Sequence, residues 1–129
     1  MEPSAVGACD VLVVDAANVV GSRPDGWWKD RPGAAARLHA SLVGTRALAP
    51  HIVLVLEGRA RAGVPETASG DVEVVHAAAD GDRRIVEEAR RALTAGQTVT
   101  VVTADRVLGE QVLGLGAQVL GPGWLLDRL

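Results

Sequence analysis

The chain has no phenylalanine and no tyrosine, and its aromatic residues are three tryptophans, Trp27, Trp28 and Trp124. Any core it builds is therefore aliphatic. Cys9 is the single cysteine. That excludes an internal disulfide and a cysteine metal cluster, and it suits a reducing compartment. No stretch approaches the roughly 20 apolar residues of a membrane-spanning helix. The start, MEPSAVGACD, lacks the basic and apolar segments of a secretory signal, so a cytoplasmic protein with no membrane partner is expected. Positive charge is in short supply: 13 Lys and Arg face 16 Asp and Glu, for a net charge of −3. This argues against broad electrostatic coating of nucleic acid, while leaving room for a local basic patch beside an acidic pocket. Walker-type and GxGxxG glycine loops are absent, which speaks against a nucleotide kinase or a dinucleotide enzyme.

What is present is aliphatic and periodic. Hydrophobic residues make up 48% of the 129, enough for one globular domain spanning residues 1–129. Five short Val- and Ile-rich runs read as strands: VLVV (11–14), HIVLVLE (51–57), VEVVH (72–76), TVTVVT (98–103) and AQVL (117–120). Helical spacing separates them. Leu38, Leu42, Thr45 and Leu48 follow one helix; Ile85, Ala89, Ala92 and Leu93 line a second, with Gly96 at its expected C-cap; Leu108, Val112 and Leu115 mark a third, closed by Gly116. The tail GPGWLLDRL predicts a turn and one short helix, with Trp124 as a core anchor. Strands alternating with helices imply a parallel sheet covered on both faces. VLVV and IVLVL, apolar throughout, predict central strands, whereas VEVVH and AQVL predict edges. GRARAGVPETASGD, between the second and third strands, reads as a flexible loop.

Open parallel sheets bind ligands beyond the carboxyl ends of their strands, where strand order reverses. Four of the five strand ends deliver carboxylates there: Asp15 with Asn18 close by, Glu57, the pair Asp80 and Asp82, and Asp105 followed by Arg106. Such acids repel one another unless a cation sits between them, and hard divalent ions take oxygen ligands of this kind. Each acid also has a plainer use. Asp82 and Asp105 could cap the helices that follow, Glu57 could pair with Arg59 in a solvated loop, and Asn18 could stabilise a turn. Asp15 resists that treatment, because it continues a wholly apolar strand, where an unpaired charge costs several kcal/mol. His39 falls within a helix and His51 and His76 flank strands, so each reads as a surface or packing residue.

VVDAANVV, GDRRIV, VVTADR and LGAQVLGPGWLL, in this order over nearly the whole chain, resemble the bacterial NYN domains related to the YacP group, within the PIN-like nuclease superfamily. DAANV and VVTADR are the most specific segments. The resemblance implies a three-layer α/β/α sandwich with a central five-stranded parallel sheet in the order 3-2-1-4-5, which sets the ends of strands one and four side by side. It implies Mg²⁺- or Mn²⁺-dependent hydrolysis of RNA phosphodiester bonds. Carried over by position, it makes Asp15, Asp82 and Asp105 the catalytic and metal-binding acids, with Asn18 as the nearby polar residue. In one departure, Arg83 follows Asp82 where relatives often show a second acid. Asp80, just before the helix, is the candidate to replace that ligand; failing that, the chain is a weak or inactive RNA-binding module. A phosphohydrolase of small nucleotides would use the same acids. PIN-like domains often pair, so a homodimer is compatible with the resemblance.

The loop GSRPDGWWKDRPG lies on the same rim as Asp15. Trp27 and Trp28 are placed to stack unpaired bases, while Arg23, Lys29 and Arg31 are placed for phosphates. Arg59 and Arg61 on the second-strand loop, and Arg106 beside Asp105, would extend that basic ring around an RNA strand. The plainer reading makes one tryptophan a cap on the core; both being buried in so polar a loop is not expected.

Overall fold

The computed structural model describes residues 9–45 and 48–129. Most of the N-terminal segment read above lies outside them. The strands are β1 (Val11–Asp15), β2 (His51–Leu56), β3 (Thr67–Ser69), β4 (Val72–His76), β5 (Val99–Val102) and β6 (Gln118–Leu120). The helices are α1 (Ala16–Gly21), α2 (Arg31–Gly44), α3 (Gly81–Thr94), α4 (Arg106–Leu115) and α5 (Pro122–Leu126), with 3-10 turns at Trp27–Lys29 and Gly58–Gly63.

All six strands form one sheet in the order β3-β4-β2-β1-β5-β6. β1 pairs in parallel with β2 on one side and β5 on the other, β4 continues from β2, and β6 from β5. These five are the expected strands in the expected order. β3 adds an antiparallel sixth against β4, which corrects two expectations. VEVVH is an inner strand, flanked on both sides, and the stretch after Glu57 is not an unstructured loop. That stretch folds as a 3-10 turn and then an edge strand of three residues, of which Thr67 and Ala68 are exposed, a short polar edge of the kind that limits further pairing.

Side chains alternate across the sheet and sort the core into two layers. Leu12, Val14, Leu54 and Leu56 face Ala35, Leu38 and Leu42 of α2, with Val19 of α1 and Leu125 of α5. Val11, Val13, Val53 and Val55 face Ile85 and Ala89 of α3 and Leu108 and Val112 of α4. The result is a three-layer α/β/α sandwich. β1 and β2 are apolar at successive positions because both their faces are covered.

Two helix boundaries differ from the pattern. α2 stops at Gly44, and Thr45 has an extended backbone whose N–H still bonds to the Leu42 carbonyl. Leu48, expected on the helix, lies beyond it and packs against the core from the following bend. α1 was not legible as a helix. Its six residues are nucleated by the Asp15 side chain, which accepts from the Asn18 N–H. The Gly58–Gly63 turn packs on the start of α2, and a Cβ at Gly63 would overlap the Pro32 carbonyl. Gly63→Ala is therefore expected to destabilise the protein by about 1–3 kcal/mol, the usual cost of overpacking. A urea midpoint equal to that of the wild type would refute this.

Candidate active site

β1 and β5 are neighbours, and the chain leaves them for opposite sides of the sheet, so their carboxyl ends form the reversal point. Asp15 ends β1 and is 4% exposed. Its burial is tolerated because both oxygens are engaged. Oδ1 accepts from the Asn18 backbone N–H at 3.2 Å; Oδ2 accepts from Asn18 Nδ2 at 2.7 Å and from the Thr103 hydroxyl at 2.8 Å. Asn18 thus acts on Asp15 twice, through backbone and side chain.

Thr103 is the site residue that the sequence reading missed. It is 3% exposed. Its hydroxyl donates to Asp15 and accepts from the Asp105 N–H at 3.1 Å. One buried oxygen therefore ties the end of β1 to the start of α4. The signal was available: Thr103 stands between an apolar strand and the acid in VVTAD, where a buried hydroxyl needs polar partners.

The other acids arrive on helix starts. Asp105 is the N-cap of α4, accepting from the Leu108 N–H. Asp80, and not Asp82, caps α3, accepting from the Arg83 N–H. Asp82 sits in the first turn of α3 and does not cap it. Glu57 leaves β2 and accepts from the Gly81 N–H at 2.7 Å, an approach that a Cβ at Gly81 would crowd, standing 3.2 Å from the Glu57 carboxyl carbon. The alternative pairing of Glu57 with Arg59 does not form: among the described residues, the Arg–carboxylate pairs are Arg84–Glu88 and Arg91–Glu88.

Asp82 senses the other acids. The Asp82 carboxyl is pushed above its ordinary pKa, first by burial and then by the negative charges of Asp105, Asp15, Asp80 and Glu57. Among the described residues, however, no three Asp, Glu, His or Cys side chains are gathered closely enough to form a ready-made metal shell. Asp15 is engaged by Asn18 and Thr103, and Asp105, Asp80 and Glu57 by helix N–H groups. The donor set is all-oxygen and anionic, the chemistry that suits a hard divalent cation.

The basic and aromatic candidates divide. Trp27 is half-buried, and Arg31 lies over its ring, 5.3 Å from the centroid; Trp28 is 54% exposed and meets Trp27 edge-on. Trp27, Arg31 and Glu57 line one cavity beside the rim. Arg23 lines a different depression, with Arg37 and Leu129. Arg61 folds back onto the Gly58 and Ala77 carbonyls, while Lys29, Arg59 and Arg106 are exposed. Trp124 packs against the core as expected, under Arg128. Of the histidines, His51 meets Glu73 and His76 meets the Val64 carbonyl, with no part in the rim.

No helix among the described residues is long and apolar enough to cross a membrane. No protein-family model matches the chain, and no curated protein matches it by sequence. Among solved structures it is similar to a mutant of Rae1 (YacP) from Bacillus subtilis, with a TM-score of 0.62 at 20% sequence identity, over 92% of this chain and 73% of that one. The chain thus shares its fold with that protein.

Proposed function

We propose that the protein is a divalent-metal-dependent ribonuclease that hydrolyses RNA phosphodiester bonds at the carboxyl rim of β1 and β5. The observation that carries this reading is the convergence of acids at the reversal point, where the Thr103 hydroxyl joins Asp15 at the end of β1 to the Asp105 N–H at the start of α4 and the charges of both raise the Asp82 carboxyl pKa. A perturbed carboxyl with named charge partners at a ligand-binding rim is the kind of group that functional sites use. The fold shared with YacP supports the reading.

Asp15, Asp82 and Asp105 would hold Mg²⁺ or Mn²⁺, with Asp80 contributing its second oxygen. Bound there, the ion would supply an acidified water and neutralise charge on the phosphate. The protein's own part is positioning. Asn18 and Thr103 fix the orientation of Asp15, and the cap geometry fixes Asp105. Arg106, exposed beside Asp105, and Arg31 are suited to approaching phosphates of the bound strand. No histidine or cysteine nucleophile is needed.

The test is cleavage of labelled single-stranded RNA in Mn²⁺, Mg²⁺ and EDTA, with Asp105→Asn beside the wild type. Expected are metal-dependent cleavage by the wild type and a loss of at least about 100-fold in the variant, whose fold persists because an asparagine still caps α4. Equal cleavage by both would remove Asp105 from the reaction. A second reading has its own observation: Arg83, exposed on α3, occupies the place of a second acid. RNA affinity retained in EDTA with no cleavage in Mn²⁺ would favour a binding module.

A further inference from the structure

Beside the acidic rim lies a cavity of about 380 Å³, within the range of roughly 300–1,000 Å³ typical of small-molecule sites. We propose that it is a nucleobase pocket, seating one unpaired base of an RNA strand whose adjoining phosphate lies at the carboxylates. The proposal rests on the ribonuclease reading of that rim and adds where the strand is gripped.

Three features of the walls point to a base. First, the walls are built from the immediate chain neighbours of the rim acids. Ala16 and Ala17 follow Asp15, Ala79 precedes Asp80, and Glu57 itself takes part. A base seated there keeps its own backbone on the side of the acids. Second, much of the lining is alanine, and small side chains leave a gap that a planar ring fills. Third, one wall carries Trp27 with the Arg31 guanidinium 5.3 Å from its ring centroid. Both groups stack on bases, and stacking tolerates any base because each has a π-face. Glu57 in the lining disfavours a phosphate as the occupant and offers an acceptor to a base N–H, while Arg31 can meet a phosphate at the mouth. Trp28, although more exposed, does not line the cavity, so the two adjacent tryptophans are given different standing.

The experiment is fluorescence anisotropy in EDTA with a short labelled single-stranded RNA and a ribose-phosphate strand of equal length lacking bases. Wild type is compared with Trp27→Ala, Trp27→Phe and Ala17→Leu. The last fills the cavity from an exposed position on α1 and keeps the test independent of how Trp27→Ala folds. Trp27→Ala and Ala17→Leu should each weaken binding of the base-bearing strand about tenfold and leave the abasic strand within about twofold, with Trp27→Phe restoring most of the affinity. Equal losses on both strands, no loss on either, or no binding by the wild type would overturn the pocket. Cleavage in Mn²⁺, measured in parallel, reports separately on the rim. Metal-dependent cleavage with an indifferent Trp27 and Ala17 sinks the pocket alone; base-dependent binding without cleavage sinks the nuclease reading and keeps the pocket.

Discussion

Replacing Asp15 by asparagine is expected to lower divalent-dependent RNA cleavage by at least about 100-fold, the upper end of what loss of an outer-shell partner alone produces at a metal site, while the domain stays folded. The amide keeps the shape of the carboxylate. Its oxygen can still accept from Thr103 and from Asn18 Nδ2, both of which now bond Oδ2. Its nitrogen then faces the Asn18 N–H, so the cap of α1 is lost, at a cost of about 1 kcal/mol. Removing one negative charge from the rim offsets part of that. Asp15→Ala should behave differently, because it leaves the buried Thr103 hydroxyl without that acceptor, at a cost of about 1–3 kcal/mol, and frees the half-buried Asn18 amide as well. Activity and melting temperature of the two variants, measured together, separate the chemical role of Asp15 from its structural one. An Asp15→Asn protein that cleaves at the wild-type rate would exclude the carboxylate from the reaction. Thr103→Val strikes the same carboxylate from the other side. It removes the hydroxyl that joins Asp15 to the Asp105 N–H, and about a 10–100-fold loss is expected, as for other outer-shell partners, with Thr103→Ser retaining most of the activity.

The inner architecture was legible because burial on two faces leaves a plain mark. VLVV and IVLVL admit no polar residue, and no solvent-facing strand would look like that. The reversal point followed from the resemblance in strand order, and the acids from their places at strand ends. What escaped was local and short. α1 has no periodic apolar face to announce it; it exists because Asp15 caps it. β3 is three residues long with two of them exposed, so its pairing with β4 is set by tertiary context and not by propensity. Asp80 and Asp82 are separated by one glycine, and which of them caps α3 depends on where the first helical residue falls, a boundary that sequence pattern fixes poorly. Thr103 escaped for another reason. A threonine ending an apolar strand signals a buried hydroxyl that needs partners, but only the fold shows that those partners belong to both acid-bearing elements. The basic ring was legible as composition but not as geometry: Arg31 and Trp27 share a cavity wall, whereas Arg23 lines another depression and Arg61 bonds backbone carbonyls.

Asp82→Asn should separate the repulsion in the rim from the cation that would relieve it. In EDTA the wild type carries Asp82 with its carboxyl pKa raised by burial and by Asp105, Asp15, Asp80 and Glu57. A carboxyl whose folded pKa exceeds its unfolded value binds its proton more tightly in the folded state. Its contribution favours folding at low pH and is lost as pH rises through the folded pKa. At neutral pH, then, ionised Asp82 works against the metal-free fold. Asp82→Asn is expected to melt a few degrees higher than the wild type there, since relief of one partly exposed repulsion is worth on the order of 1 kcal/mol or less. The difference should shrink on acidification. Divalent ion reverses the order. Mn²⁺ at about 100 times its dissociation constant stabilises a single-site protein by about 2.7 kcal/mol, on the order of 10 °C for a domain of this size. The wild type should gain that shift and Asp82→Asn only a small part of it. Differential scanning fluorimetry of both proteins across pH, with and without Mn²⁺, reads all three effects. If the variant responds to Mn²⁺ as fully as the wild type, Asp82 does not hold the ion, and the charge gathered around it serves something other than metal.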